Sequence, residues 1–236
     1  LTVLIIGDVM IDSYYWGKVD RISPEAPVPI VAVEKKESRL GGAANVALNI
    51  KAMGATPILC SVIGADEDGK ELIKLTKENG QTAEGLIQSY NRKTTKKTRI
   101  IGNNHQMLRI DGEDLHDLNS TEETSFFEKI ELIIKSRKVD AIIFEDYDKG
   151  CITPSLIKKV VELANKNKIP TTVDPKKNNF TNYNNVTLFK PNLKELKEGL
   201  KIEFNHRNQD ELEAAIAKLE LTIQNKNTLI TLSELG

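Results

Sequence analysis

Two groups of residues in this chain could do chemistry on a small polar ligand. Asp12 follows Thr2 to Ile6, a short apolar run rich in β-branched residues that reads as a buried strand ending in Gly7-Asp8. A carboxylate just past such a strand lies where open α/β sheets bind ligands, and it can accept hydroxyl hydrogen bonds. Further on, Ala43, Val46, Ala47, Ile50 and Met53 recur at helical spacing, so a helix starts near Gly42 with one apolar stripe. Gly41-Gly42 at its mouth would expose backbone N–H groups and leave room for a ligand's hydroxyls. The same pair could serve only to turn the chain tightly. Asn45 falls in the first turn, where its amide can donate and accept. Asp12 and Asn45 could therefore face one another across a polyol, with Gly41 and Gly42 between them.

The second group is charged. Arg92 to Arg99 is strongly basic, and strand alternation puts Lys97 and Arg99 on one face with Thr95. With Arg109 on the following strand they suit a phosphate, arginine by bidentate hydrogen bonds and lysine as a point charge. Lys93 and Lys96 read as solvated. Three later strand ends also carry charge: Asp146 with Lys149, Asp174 with Lys176, and Asn192 with Glu195. Each has a plain alternative, since Asn192 could only cap its helix and Lys176 could only be solvated.

The elements that must hold these residues alternate. From Ser120 onward, helices over about 120–136 and 154–167, one beginning at 192–195, and one over 209–224 separate strands over 139–144, 170–174, 186–189 and 228–232, with 176–185 as a polar, Asn-rich loop. That spacing means βαβ units and a parallel sheet. Before it, Pro24, Pro27 and Pro29 exclude a helix and disfavour a central strand. Asn103-Asn104 between two strand-like runs predicts a hairpin. Asp66, Glu67 and Asp68 read as a helix cap rather than a metal site.

These motifs carry a resemblance. Ile6 to Asp12, then Arg21 to Pro29 with its Ser-Pro-Glu-Ala-Pro-Val-Pro segment, then Gly41-Gly42-Ala43-Ala44-Asn45 resemble the ribokinase-like (PfkB) sugar kinases. Within them they are most similar to the heptose-7-phosphate kinases of lipopolysaccharide-core precursor synthesis. The resemblance implies a doubly wound, mainly parallel α/β sheet with a small β-sheet lid over about 13–37 and 94–111. It implies ATP-dependent phosphorylation of a phosphosugar, heptose 7-phosphate to the 1,7-bisphosphate, with ATP and Mg²⁺ as cofactors. Asp12, Gly41, Gly42 and Asn45 would hold the sugar; Lys97, Arg99, Arg109, Asp146 and Lys176 would complete the substrate site. Asn192 and Glu195 match the Asn-x-x-Glu motif that arranges Mg²⁺ waters, Glu195 reaching the metal through water. Thr231, Ser233 and Gly236 would begin the nucleotide site. Another sugar kinase, or a sugar-phosphate-binding module without catalysis, remains open.

The resemblance also implies a catalytic Asp in a Gly-Ala-Gly-Asp loop, and the 236 residues contain none. The chain reads as one incomplete kinase domain, with the C-terminal part of the fold absent, and is expected to be inactive alone. With 33 basic and 34 acidic residues the formal charge is −1, which gives no electrostatic reason to expect a nucleic acid. No apolar run approaches the about 18 residues that span a membrane. Cys60 and Cys151 read as free thiols of a cytoplasmic protein, and His105, His116 and His206 lack zinc-ligand spacing. Tyr14, Tyr15, Trp16 and Ile30 are apolar residues on a small sheet, so a homodimer through the lid is expected.

Overall fold

In a computed structural model that describes residues 1–232, the apolar runs become a parallel sheet. Its strands are β1 (Thr2–Gly7), β4 (Thr56–Gly64), β5 (Gly85–Ser89), β8 (Ala141–Glu145), β9 (Thr171–Asp174), β10 (Leu188–Phe189) and β11 (Asn227–Thr228). The order across the sheet is β11-β10-β9-β8-β1-β4-β5, every pairing parallel. Successive residues of β1 are buried to opposite sides, as a sheet covered on both faces requires. Leu4, Ile6, Ile142 and Phe144 pack on α3 (Ser120–Ser136), α4 (Pro154–Lys166), α5 (Leu193–Leu200) and α6 (Gln209–Ile223). Val3, Ile5, Leu59 and Ile63 pack on α1 (Ala43–Ala52) and α2 (Glu67–Glu78).

A second sheet, in the order β3-β2-β6-β7, stands beside the first. β2 (Val9–Ile22) and β3 (Pro29–Gly42) form a long antiparallel hairpin whose turn carries the Pro24 and Pro27 excursion. β6 (Lys96–Gly102) and β7 (His105–Gly112) form the expected hairpin, with Asn103 and Asn104 both at positive φ, 50° and 66°. β6 joins β2 in parallel. The small sheet thus takes in 9–42 and 96–112, more than the expected 13–37 and 94–111.

Asp12 follows β1 as expected and lies inside β2, which begins directly after Asp8. Other expectations are corrected. Strand alternation puts Tyr14 and Trp16 on one face of the small sheet and Tyr15 on the other, so they are not one apolar patch. The 176–185 loop is not merely polar: Phe180 and Tyr183 are fully buried and pack against Phe189 and Phe144. The last strand shrinks to Asn227–Thr228, with an isolated bridge between Thr231 and Asn192. Lys96 is not simply solvated. It pairs with Asp68 (2.7 Å) and Glu71 (3.0 Å) and ties the small sheet to α2. Asp66 caps α2, accepting from Gly69 N at 2.7 Å.

Candidate active site

β1 and β8 are neighbours at the centre of the large sheet, and the strand order runs away from them in opposite directions. The crevice beyond their carboxyl ends is where doubly wound sheets bind ligands. Asp8 closes its floor. Buried, it accepts backbone N–H bonds from Tyr147 (2.8 Å), Lys149 (3.2 Å) and Cys151 (3.1 Å), which fixes the loop after β8. Burial, then the charge of Asp146, pushes its carboxyl up to about 6 against the pull of those donors.

Asp146, expected to touch the substrate, is also hydrogen-bonded within the fold. Its Oδ1 accepts from Asp148 N (2.9 Å), and its Oδ2 accepts from Asn179 Nδ2 (3.1 Å) and Tyr183 OH (2.8 Å). It anchors the aromatic-bearing 179–183 segment against the end of β8. Its neighbour Glu145 is the carboxyl that reading the sequence passed over. Burial and then Asp174 lift Glu145 to about 7, and the adjacent Tyr147 phenol rises to about 12, chiefly by burial. The signal was the register: Glu145 sits opposite Gly7 across the central strand pair.

The charged residues at the strand ends take partners from other segments. Lys149 pairs with Glu113 (2.8 Å), not Asp146, and Asp174 pairs with Lys190 (2.9 Å), not Lys176. Lys176 Nζ lies 2.5 Å from Glu195 Oε1 and 5.7 Å from the Tyr147 ring centroid. Asn192 does cap α5: its Oδ1 accepts from Glu195 N, and Glu195 Oε2 accepts from Asn192 N, both at 2.9 Å. Thr231 is held beside them, its N–H donating to Pro191 O at 3.2 Å. Ser233 and Gly236 lie outside the described residues.

The small sheet offers a charged face to this edge. Register places Arg39, Asp12, Lys97 and Asp111 in one row, and Glu37, Tyr14, Arg99 and Arg109 in the next row on the same face. Arg99 Nη1 donates to Asp12 Oδ1 at 2.5 Å, and its guanidinium lies 5.3 Å from the Tyr14 ring centroid. Arg109 holds Asp111 with both arms of its fork, at 2.8 and 2.9 Å, which keeps that carboxyl below its ordinary range. Asp12 Oδ2 rests against Gly41, where any Cβ would press into it and into Met10. Gly42 has φ +58° and faces Asp8 O, so the turn into α1 needs glycine twice, once for space and once for conformation. Ala43 N–H is taken by Asp8 O at 3.0 Å. Asn45 is exposed in the first turn of α1 and makes no hydrogen bond within the described residues. The arrangement sets a carboxylate against Gly41 at the entry to α1, with cations on the same sheet edge.

The sequence profile of the pfkB family carbohydrate kinases matches residues 1–236. The chain belongs to this family. Among curated relatives it is 43% identical over 235 residues to the bifunctional protein HldE of Campylobacter jejuni, covering 99% of this chain and 48% of that protein. It is 41% identical over 234 residues to HldE of Aliarcobacter butzleri, again 99% and 48%. The chain thus spans about half the length of the curated relatives it matches. Its fold is that of ribokinase-like enzymes. Phosphofructokinase-2 from Escherichia coli in complex with fructose-6-phosphate superposes with TM-score 0.75 at 17% identity, over 99% of this chain and 74% of that one. Arabidopsis thaliana ribokinase complexed with ribose and ATP gives 0.66 at 14%, over 97% and 70%.

Among the described residues no three His, Cys, Asp or Glu side chains gather closely enough to hold a bare metal ion. A hydrated cation fits better. Both Glu195 oxygens carry one protein donor each and keep lone pairs for metal-bound water. No helix of the described chain is long and apolar enough to cross a membrane.

Proposed function

We propose that the chain carries the sugar-binding part of an ATP-dependent phosphosugar kinase, acting on heptose 7-phosphate at its anomeric hydroxyl. The observation that carries this reading is the Asp12–Gly41 contact at the edge of a charged face, because it sets a carboxylate that can accept hydroxyl hydrogen bonds at the entry to α1 with cations nearby. The HldE relatives and the Ser-Pro-Glu-Ala-Pro-Val-Pro segment favour a heptose phosphate over other sugars. Asp12, Gly41, Gly42 and Asn45 orient the sugar; Lys97, Arg99 and Arg109 supply the positive field for its phosphate. Lys176 stands between this site and Glu195. Asp146 completes the substrate set through Oδ1, which carries one backbone donor, while its Oδ2 is held by Asn179 and Tyr183.

ATP and Mg²⁺ are the cofactors of this reading. Mg²⁺ would neutralise charge on the transferring phosphoryl group, and Glu195 and Asn192 would hold it through water, with Thr231 at the edge of the nucleotide site. The small sheet acts as a lid that keeps water from competing as acceptor.

The lid's opposite face carries Tyr15, Ile100, Leu108 and Ile110, of which Leu108 and Ile110 are more than half exposed. We assign this surface, rather than the Tyr14–Trp16 face, to contact with a second copy in a homodimer of the cytoplasm. A monomer in sedimentation at high micromolar concentration contradicts it. The test of the substrate is turnover by the protein as its gene encodes it, with ATP, Mg²⁺ and a panel of sugars and phosphosugars. Selective phosphorylation of heptose 7-phosphate supports the assignment, and turnover of unphosphorylated pentoses alone removes it.

A further inference from the structure

The small sheet is rooted in the core at Val9, Met10, Ile11 and Leu40, all buried. Beyond that root, β7 is exposed along its whole length, so packing alone fixes the β6–β7 hairpin weakly. The two feet of the hairpin are charged, with opposite signs. At its exit, Glu113 pairs at 2.8 Å with Lys149, on the loop that Asp8 pins. At its entry, Thr94 Oγ1 donates to Asp66 Oδ1 at 2.7 Å, and Lys96 reaches across to Asp68 (2.7 Å) and Glu71 (3.0 Å) on α2. This entry foot spans a cleft rather than a packed contact. The cleft, about 330 Å³ between the small sheet and α2, is lined by Ser13, Tyr15, Lys36, Glu71, Leu75 and Lys96. Strand alternation turns Lys96 to the face opposite Lys97, and parallel pairing sets Lys96 beside Ile11 and Lys97 beside Asp12. The side chain that grips α2 is thus back to back with the row that faces the sugar site.

We propose that Lys96 is a positioning residue for the phosphosugar site: through Asp68 and Glu71 it seats the small sheet on α2 and so sets where Asp12 and its neighbours stand over the crevice. This rests on the phosphosugar reading above and deepens it. Lys96 itself points away from the ligand. Without its charge the hairpin keeps the Glu113–Lys149 foot and the Thr94–Asp66 bond, so the fold persists while the sheet beyond its root tilts more freely. The ligand must then hold the sheet in place out of its own binding energy, which weakens binding without changing the chemistry that follows.

The test combines steady-state kinetics of the gene-encoded protein with ATP, Mg²⁺ and heptose 7-phosphate, and amide hydrogen exchange of the ligand-free protein. Lys96→Met keeps the stem and removes the charge. KM for heptose 7-phosphate should rise by about fivefold with kcat close to wild type, the scale that loss of two partly exposed ion pairs allows. Exchange over 96–112 should quicken by a similar factor and stay unchanged over α1. The double variant Asp68→Asn/Glu71→Gln, altered only on α2, should reproduce both effects, and Lys96→Arg should restore both. Unaltered exchange over 96–112 overturns the proposal, as does a fall in kcat at wild-type KM, which a smaller folded fraction would give. An α2 double variant with wild-type KM also overturns it, because Lys96 would then act on the ligand directly. A wild type that turns over no phosphosugar removes the kinase reading, and the positioning role with it, whatever the exchange rates are.

Discussion

Arg99 on β6 reaches diagonally across the strand pair to Asp12 on β2, Nη1 to Oδ1 at 2.5 Å, and leaves Asp12 Oδ2 against Gly41. One oxygen is thus spent on holding the carboxylate still, and the other is aimed at the glycine gap. Replacing Asp12 by Asn keeps the shape and removes the charge. We expect turnover to fall by about 10²-fold or more, as for loss of a key positioning contact. The stability cost should stay near 1 kcal/mol, since the pair is only partly buried. Steady-state kinetics beside a thermal melt checks this; a large drop in melting temperature with unchanged sugar affinity would show a structural role.

The two glycines should fail differently. Gly42→Ala places a side chain at φ +58° facing Asp8 O and should cost at least about 1–2 kcal/mol. For a chain of this size that is a fall of roughly 2–8 °C in melting temperature. Gly41→Ala meets Asp12 Oδ2 and Met10 instead, both of them side-chain atoms that can shift. Its expected effect is on sugar affinity more than on stability, and calorimetric titration with the melts separates the two.

Asp8→Asn tests the floor of the crevice. An amide can satisfy at most part of a site made of three N–H donors, and its own NH₂ would face one of them. The expected cost is about 1–3 kcal/mol, with faster hydrogen exchange at Tyr147, Lys149 and Cys151. Unchanged protection at those amides contradicts the anchoring role.

These positions show what the sequence made legible. The α/β alternation, the Asn103-Asn104 hairpin, the α1 start at Gly42 and the Asn192 cap follow from local periodicity and turn chemistry, and all are found. What local patterns do not encode is which partner a side chain takes. Asp146 and Glu145 are adjacent acids at one strand end, and only tertiary packing turns the first toward Tyr183 and leaves the second beside Asp174. The same holds for Lys149 and Lys176, whose partners Glu113 and Glu195 come from segments distant in sequence. β2 follows β1 after the single residue Asp8, so Asp12 enters a strand at once.

Glu145 gives a pH dependence with a definite sign. Its carboxyl in the fold titrates near 7, above the ordinary 4.5, so the folded chain retains a proton that the unfolded chain releases. The stabilisation this provides is full below the ordinary value and is lost as pH rises through about 7. Asp8, raised from 3.8 to about 6, acts in the same direction at lower pH. Glu145→Gln removes the first contribution. Between about pH 4.5 and 7.5 the wild type should lose up to about 3 kcal/mol relative to the variant. Denaturant midpoints of the two proteins across that range check it, and parallel curves contradict it.

In the proposed reaction the phosphoryl group passes to a phosphosugar held by the Asp12 edge of the lid. The most direct measurement is ATP consumption by the gene-encoded protein with Mg²⁺ and heptose 7-phosphate, run beside its Asp12→Asn variant. Sugar-dependent ADP release and a heptose bisphosphate product are expected, both largely lost in the variant. Tight binding of heptose 7-phosphate with no ATP turnover, or turnover that Asp12→Asn leaves untouched, would contradict it.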